Sequence, residues 1–465
     1  MAVRKILTCL LLSIAANALP VSNGYNQTCR STTETEVVIL GAGIAGITAA
    51  AKKYNLTNTY QDFDSLKTFT DTGAADYTDL LDSFDDAYTI TEQDAGYIQT
   101  RDLPDRSVRA ALNEAGWRST LDSNASAVEW FNATFYQYSD DNNFVFDSRG
   151  FSTIVRGEAA TFLRPHDSRL LFNTIVTGIS YEDTGVMIQT KNGTCIKASY
   201  AICTFSLGVL QRLPSTGGIS FNPQLPEWKQ NAISTFAIAT YTKIFLQFAS
   251  EDVFWNTSTQ FFLYADPYTR GYYPLWQSLD HVDFLPDSGI IFCTVTTPQA
   301  YIIEAQSDEE TRSQAIAVLR SMFPSSTVPE PIASFYQRWS ETPWSYGSYS
   351  NWPPYVTLES HQNLRSNVGR VWFAGEHTSA EYYGFLHGAL MEGKKAGDRV
   401  AECVLGKECA EEVHYGKLTS STRTDEFNAS NGWDVNVSNF NVSGGGTEWQ
   451  TLKNLVAEKT LAISH

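Results

Sequence analysis

The sequence is short of basic residues. It has 33 Lys and Arg against 51 Asp and Glu, which gives a formal net charge of −18 at pH 7 over 465 residues. A protein that binds nucleic acid must neutralise phosphates with Lys and Arg, so this balance argues against a nucleic-acid partner. A negative field would speed the approach of a cationic substrate. Many secreted proteins are acidic without having a cationic substrate. Composition therefore does not decide whether the negative charge serves such a substrate.

Long apolar runs are also missing. The apolar run at residues 6–14 is too short to span a bilayer, and no later stretch is long enough, so no membrane span is expected. The run follows Arg4 and Lys5 and precedes the small residues 16–18. This order is typical of a cleaved signal peptide, so residues 1–18 are predicted to direct secretion.

Cysteine is scarce, and its spacing gives no sign of metal. The sequence has seven cysteines, one of them inside residues 1–18, and no C-x-x-C motif. In an oxidising compartment some of the other six should pair, and Cys403 with Cys409 is the best candidate. The others could equally be buried free thiols. Nine Asn-x-Ser/Thr sequons, from Asn26 to Asn441, favour a glycosylated surface.

The chain is organised around residues 37–51, VVILGAGIAGITAAA. The apolar residues 37–40 predict a short buried strand. Gly41, Gly43 and Gly46 follow in the order G-x-G-x-x-G, with Ile44 and Ala45 before the last glycine, and a helix-forming run comes next. A strand–turn–helix of this kind predicts a dinucleotide site, with the pyrophosphate at the N-terminus of the helix.

The expected continuation of this motif is missing. A second strand should end in an acidic residue roughly 20 residues past the glycines. Asp62 and Asp64 stand at that distance, but no apolar strand leads into them, so we interpret them as surface acids. The first βαβ unit is therefore predicted to be incomplete, and the strands beside the gap should have unpaired edges.

Further elements follow from hydrophobic periodicity and turn residues. Residues 52–145 are polar and are expected to be mostly helical, as at residues 77–88 and 107–117. A final Ser/Thr/Asn-rich tail, from residue 415, is expected to be disordered. Strands are predicted at residues 170–173, 176–181, 186–190, 195–203 and 371–374, with a hairpin turn at 191–193. Further strands rich in aromatic residues are predicted within 234–248 and 260–300, and helices at 308–322 and 384–403.

Several segments resemble the flavin-containing amine oxidases, and polyamine oxidases in particular. They are the glycine motif, YTKIFLQF at residues 241–248, VWFAGEHTS at 371–379 and EYYGFLHGA at 381–389. The resemblance runs from about residue 34 to about residue 409 and is most specific in the second half of the chain.

The resemblance implies an α/β fold with two domains. An FAD-binding Rossmann-like domain would comprise residues 34–56, 146–222 and 340–409. An inserted α+β substrate domain would comprise residues 57–145 and 223–339. The implied reaction moves a hydride from a carbon next to an amine nitrogen to flavin N5, and O2 is then reduced to H2O2. The expected partners are a small-molecule polyamine and O2, and the expected state is a monomer.

The resemblance also assigns roles to individual residues. Lys243 matches the catalytic lysine that holds a water against flavin N5. Tyr349 and Phe385, with Leu386 beside them, match the positions that enclose the substrate amine. His377 and His387 are interpreted as packing or hydrogen-bonding residues and not as acid/base groups. The positions that match cofactor-binding residues beyond the glycine turn are Val176, Trp339, Gly375, Glu376 and Thr378.

The chain departs from the family in its first third. The family's second strand ending in Glu is missing, and so is the Arg-x-Gly-Gly-Arg loop on the pyrophosphate. Two function classes therefore remain: a secreted FAD-dependent polyamine oxidase, and a non-catalytic secreted glycoprotein of the same fold that cannot hold FAD. An NAD-linked dehydrogenase is a distant third.

Overall fold

The computed structural model describes residues 9–12, 29–40, 54–62, 65–96, 107–118, 143–354, 356–380, 382–407 and 409–418. The glycine turn with Gly41, Gly43, Ile44, Ala45 and Gly46 lies outside these residues, as do Asp64 and the tail from residue 419. Asp62 lies on the surface, as interpreted. None of the helices within the described ranges is long and apolar enough to cross a membrane.

The described chain contains nineteen strands and nine α-helices. The strands are β1 (Cys9–Leu12), β2 (Ser31–Leu40), β3 (Asn58–Tyr60), β4 (Lys67–Thr70), β5 (Gly73–Ala74), β6 (Asn143–Val145), β7 (Leu170–Leu171), β8 (Val176–Glu182), β9 (Gly185–Thr190), β10 (Thr194–Cys203), β11 (Ser220–Asn222), β12 (Ala237–Ala239), β13 (Tyr241–Gln247), β14 (Phe261–Tyr264), β15 (Leu275–Ser278), β16 (Ile290–Thr296), β17 (Ala333–Tyr336), β18 (Tyr349–Asn351) and β19 (Val371–Phe373). The helices are α1 (Thr78–Gly96), α2 (Val108–Glu114), α3 (Ser152–Ala160), α4 (Leu207–Leu210), α5 (Glu227–Thr235), α6 (Gln299–Glu304), α7 (Asp308–Met322), α8 (Leu358–Arg365) and α9 (Leu386–Val404).

The first sheet is mostly parallel, and its strand order is β11-β8-β9-β10-β2-β1-β7, with β19 also paired to β10. The strand β10 runs parallel to β2 and to β19. The carboxyl ends of these strands, at residues 37–40, 201–203 and 371–373, are apolar because both faces are covered, as is usual for a parallel sheet. Val38, Leu40 and Val371 are completely buried. The α/β class is therefore confirmed.

Strand β1 comes from the predicted signal peptide. It runs parallel to β2, with Cys9 opposite Val37 and Leu12 opposite Leu40, and on its other side it runs parallel to β7. It fills the position beside β2 where we expected an unpaired edge. That expectation is wrong for the full chain, because the missing strand is replaced by a segment from the N-terminus.

The second sheet has the order β17-β13-β16-β15-β14-β4-β5 and is mostly antiparallel. One core cluster combines its apolar side chains with those of helix α7, including Ile244, Cys293 and Leu319. The two helices predicted within residues 52–145 are confirmed as α1 and α2, and the same segment also contains the short strands β3 to β6, which were not predicted. The boundaries of the two domains stay a prediction.

Two disulfides join distant and local parts of the chain. Cys403 pairs with Cys409, as predicted. Cys29 pairs with Cys195 and ties the start of β2 to β10; sequence reasoning did not select this pair. Cys203 and Cys293 are buried free thiols.

Candidate active site

Lys243 lies in the middle of β13, on the face opposite the apolar core. Burial alternates along this strand, so Thr242 and Ile244 point into the core and Lys243 points away from it. The Lys243 Nζ atom lies 3.4 Å from Thr294 Oγ1 and 4.4 Å from the centre of the Phe292 ring. Burial lowers the pKa of Lys243 to about 8. An amine with a pKa near neutrality can give or take a proton during a reaction.

Two tyrosines lie in a row with Lys243, and we call Lys243, Tyr241 and Tyr349 together the wall. The Lys243 Nζ atom lies 5.3 Å from the centre of the Tyr241 ring, and the centres of the Tyr241 and Tyr349 rings are 5.8 Å apart. Burial raises the pKa of Tyr241 and of Tyr349, so both phenols are neutral near pH 7. The structure thus joins the predicted lysine and one predicted substrate aromatic through a residue of β13.

Glu376 begins a single 3₁₀ turn, Glu376–Thr378, just past the end of β19. Its Oε1 atom accepts the Ser350 backbone N–H at 3.0 Å. Its Oε2 atom accepts the Ser350 hydroxyl at 2.5 Å and the Gly384 N–H at 2.6 Å. Burial raises the pKa of Glu376, and these hydrogen bonds oppose that rise. Because Ser350 follows Tyr349 and Gly384 precedes Phe385, the carboxylate ties together both segments that carry the predicted substrate aromatics.

Two other residues at this turn, Gly375 and Thr378, hydrogen-bond to each other. The Thr378 hydroxyl donates to the Gly375 carbonyl at 2.9 Å and accepts the Gly375 N–H at 3.1 Å. The His377 ring is 1% exposed, and its Nε2 atom has no hydrogen-bond partner among the described residues. Burial lowers the pKa of His377 to about 3. This ring is neutral at pH 7, which agrees with its interpretation as a packing residue.

The remaining predicted positions lie in separate places. Val176 is buried at the start of β8 in the first sheet. Trp339 is half-buried, and its carbonyl accepts the Gly347 N–H at 2.9 Å. Phe385 and Leu386, at the start of α9, are 40% and 42% exposed. The His387 ring lies 5.1 Å from the Phe385 ring. The roles of these residues stay predictions.

Sequence reasoning gave no role to Tyr241, Ser350 or Glu304. Tyr241 could have been found, since it stands two residues before Lys243 and a strand places such residues on the same face. Ser350 acts through a hydrogen bond to a residue 26 positions away. Glu304 accepts a hydrogen bond from Thr242, 62 positions away. No local pattern marks contacts of this kind.

The described residues fit the flavin end of FAD. Glu376 is an acceptor just past the carboxyl end of β19, which runs parallel to β10, and α/β sheets bind ligands at this end of their strands. Its Oε1 atom accepts one N–H, and a carboxylate oxygen has a second lone pair that can take a hydroxyl. Lys243 supplies a half-buried amine nearby. Across the described residues, no group of three or more His, Cys, Asp or Glu is placed to hold a metal ion.

The sequence profile of the flavin containing amine oxidoreductase family matches residues 69–401. The chain belongs to this family, and FAD is the cofactor that this membership implies. The matched range begins after the glycine motif.

Individual relatives agree with the family match. Polyamine oxidase 7 of Oryza sativa subsp. japonica is 41% identical over 268 residues, which is 56% of this chain and 55% of the relative. Polyamine oxidase 1 of Zea mays is 39% identical over 286 residues, which is 60% of this chain and 55% of the relative. The chain thus spans about half the length of these curated relatives.

Solved structures show the same fold. Wild-type putrescine oxidase bound to putrescine superposes with a TM-score of 0.60, covering 80% of this chain and 100% of that chain at 14% sequence identity. At this level of identity the likeness concerns the fold alone. It confirms an amine-oxidase architecture for the described chain.

Proposed function

We propose that this chain is an FAD-dependent amine oxidase that acts on polyamines. The observation that carries the proposal is the wall formed by Lys243, Tyr241 and Tyr349, fixed to Glu376 at the end of a parallel strand. The names of the rice and maize relatives, which are polyamine oxidases, support the same substrate class.

Each residue of the wall has a physical task. When bound, FAD would supply the two-electron acceptor that takes a hydride from the carbon next to the amine nitrogen and passes the electrons to O2. The faces of Tyr241 and Tyr349 attract an alkylammonium and pack against its methylene groups. Lys243, with its lowered pKa, holds a water molecule and can exchange a proton with it. Glu376 keeps the Tyr349 and Phe385 segments together.

The experiment measures H2O2 from a panel of amines with added FAD. We expect spermine and spermidine to react faster than benzylamine or tyramine, because a long diamine uses both the aromatic wall and the acidic surface. Lys243→Met should slow turnover at saturating FAD while leaving the flavin absorbance of the bound cofactor in place. Unchanged turnover in this variant, or a clear preference for benzylamine, would overturn the proposal.

We further propose that FAD binds this chain weakly. The second-strand acid and the Arg-x-Gly-Gly-Arg loop are missing, and hydrogen bonds to charged groups contribute roughly 1.5–3 kcal/mol each. Losing two or three of them weakens binding by several powers of ten, since about 1.4 kcal/mol is tenfold. A chain with the missing segment restored should be yellow after purification, and the present chain should be colourless. A stoichiometrically flavinylated product from the present chain contradicts this.

The second candidate function is a non-catalytic secreted glycoprotein of the same fold. The missing phosphate loop favours it, and absence of H2O2 from every amine at saturating FAD would support it. For either function we propose export, cleavage before residue 19 and glycosylation. N-terminal sequencing and a glycosidase shift test these points. Cleavage would also remove β1, so a secreted mature chain and a sheet completed by β1 exclude one another.

A further inference from the structure

Glu304, the last residue of α6, is a buried acid that the proposed mechanism does not use. It is 1% exposed. Its Oε1 atom accepts the Thr242 hydroxyl at 2.5 Å. Its Oε2 atom accepts the Ser340 backbone N–H at 2.8 Å and also the Ser340 hydroxyl. A buried carboxylate is costly unless it is hydrogen-bonded, and here all the cited donors come from two segments that are distant in sequence.

Both segments carry a predicted site residue next to the donor. Thr242 directly precedes Lys243 on β13, and Ser340 directly follows Trp339. The Thr242 side chain is completely buried on the core side of β13, so Glu304 supports the strand from behind while Lys243 faces away. The Arg338 Nε–H also donates to the Glu304 carbonyl at 3.0 Å. The backbone of Glu304 is therefore fastened to the Trp339 segment as well.

We propose that Glu304 is a positioning residue that holds the Lys243 strand and the Trp339 segment in a fixed relation. The proposal rests on the proposed function, because it gives Glu304 its effect through the lysine that the reaction uses. The hydrogen bonds of Glu304 described above go to Thr242, Ser340 and Arg338, and not to Lys243 or Trp339. Its carboxylate works through the hydroxyl and the backbone of their neighbours in sequence.

A measurable consequence lies in the environment of the Lys243 amine. The groups that face this amine are Tyr241 on its own strand and Phe292 and Thr294 on β16. The Cys293 side chain lies on the core side of the same sheet. Burial is the main cause that lowers the pKa of Lys243. If β13 loosens, water reaches the amine and the desolvation weakens. The titration midpoint of Lys243 should then rise toward the value of an exposed lysine.

The test compares Thr242→Val and Ser340→Ala with a matched control. Thr242→Val keeps the shape of the side chain and removes only its hydroxyl. Thr91→Val is the control, since Thr91 is also buried and its hydroxyl donates to the Ala87 carbonyl at 2.9 Å in helix α1, which carries no predicted site residue. In each full-length variant, trace acetylation followed by peptide mass spectrometry gives the titration midpoint of Lys243. This readout needs no flavin.

We expect Thr242→Val and Ser340→Ala each to raise the midpoint by at least about half a unit, a shift of about 0.7 kcal/mol, and Thr91→Val to leave it unchanged. Because both donors share one carboxylate, the double variant should raise the Lys243 midpoint by less than the sum of the two single-variant shifts. Glu304→Gln should behave nearly as wild type, because its carbonyl can accept from Ser340 and its amide can donate to the Thr242 hydroxyl. Glu304→Ala should show the full shift.

The outcomes separate this proposal from the proposed function. Midpoints of Thr242→Val and Ser340→Ala equal to that of Thr91→Val overturn the positioning role, even if the wild-type chain makes H2O2. A wild-type chain that makes no H2O2 at saturating FAD overturns the proposed function, while the Lys243 midpoints still decide the positioning role. If Glu304→Ala does not fold, the two milder variants decide alone. With an active chain, kcat should fall about two- to tenfold in Thr242→Val, with a smaller change in KM.

Discussion

Replacement by glutamine should destabilise the fold much more at Glu376 than at Glu304. At Glu376, each carboxylate oxygen accepts a backbone N–H, from Ser350 and from Gly384. A glutamine has one acceptor and one NH2 group. In either orientation of Glu376→Gln, the NH2 group must face a backbone N–H that cannot turn away. At Glu304, one oxygen faces only the Thr242 hydroxyl, which can rotate and accept.

The geometry sets the expected magnitudes. An unsatisfied buried donor costs about 1–3 kcal/mol, so Glu376→Gln should destabilise the fold by that amount. For a chain of 465 residues the conversion is about 1 °C per kcal/mol, so its apparent thermal midpoint should fall by roughly 1–3 °C. Glu304→Gln should cost less than about 1 kcal/mol, because its hydrogen bonds can all be remade. Thermal unfolding followed by circular dichroism measures both variants beside the wild type.

The comparison can fail in a clear way. Equal midpoints for the two variants would show that the number of backbone donors does not decide the cost. A larger loss for Glu304→Gln would show that Thr242 cannot rotate its hydroxyl, and the hydrogen-bond reasoning at both sites would then be wrong. Ser350→Ala, which removes one hydroxyl and keeps the backbone N–H, should lie between wild type and Glu376→Gln.

Three further predictions concern stability. Glu412 is buried between two arginines, and Glu412→Ala should cost about 3–5 kcal/mol, whereas Glu309→Ala, which breaks an exposed pair, should cost less than about 1 kcal/mol; similar losses in urea unfolding would refute this contrast. Deleting residues 1–18 removes β1 and exposes the edges of β2 and β7, so the shortened chain should aggregate more in light scattering than the full chain; equal solubility would count against a structural role of β1. Burial lowers the pKa of Lys243 from 10.5 to about 8, so between these pH values the unfolded state binds more protons than the folded state. The stability of the wild type relative to Lys243→Met should therefore rise from pH 7 to pH 10. A wild-type thermal midpoint that falls relative to that of Lys243→Met over this range would contradict it.

Elements with a strong local signal were predictable from the sequence. Helix α7 has the predicted bounds, since its apolar residues recur with helical spacing and the Ser307 side chain accepts the Glu310 N–H at its start. The hairpin at residues 191–193 also follows from its turn residues. At the site, the alternation along β13 fixes the direction of Lys243 relative to the core. In each case the information lies within a few residues.

Elements that depend on distant pairing were not predictable. Strand β1 reads as part of a signal peptide, and only its register with Val37 and Leu40 reveals it as a strand. The short strands within residues 52–145 pair with partners far along the chain; β4, for example, pairs with β14. The Cys29–Cys195 disulfide spans 166 positions. Composition and periodicity carry no information about such partners, because the pairing energy comes from the assembled sheet.

The same distinction explains why an incomplete first unit need not disturb the reaction centre. The wall of Lys243, Tyr241 and Tyr349 rests on pairing of β13 with β16 and on the hydrogen bonds of Glu304 and Glu376, all of which lie beyond residue 240. The missing strand and loop belong instead to the part of the fold that would hold the pyrophosphate. We expect a loss there to lower the affinity for FAD and to leave the positions of the lysine and the aromatic residues unchanged. Cofactor affinity and site geometry should therefore vary independently in this chain.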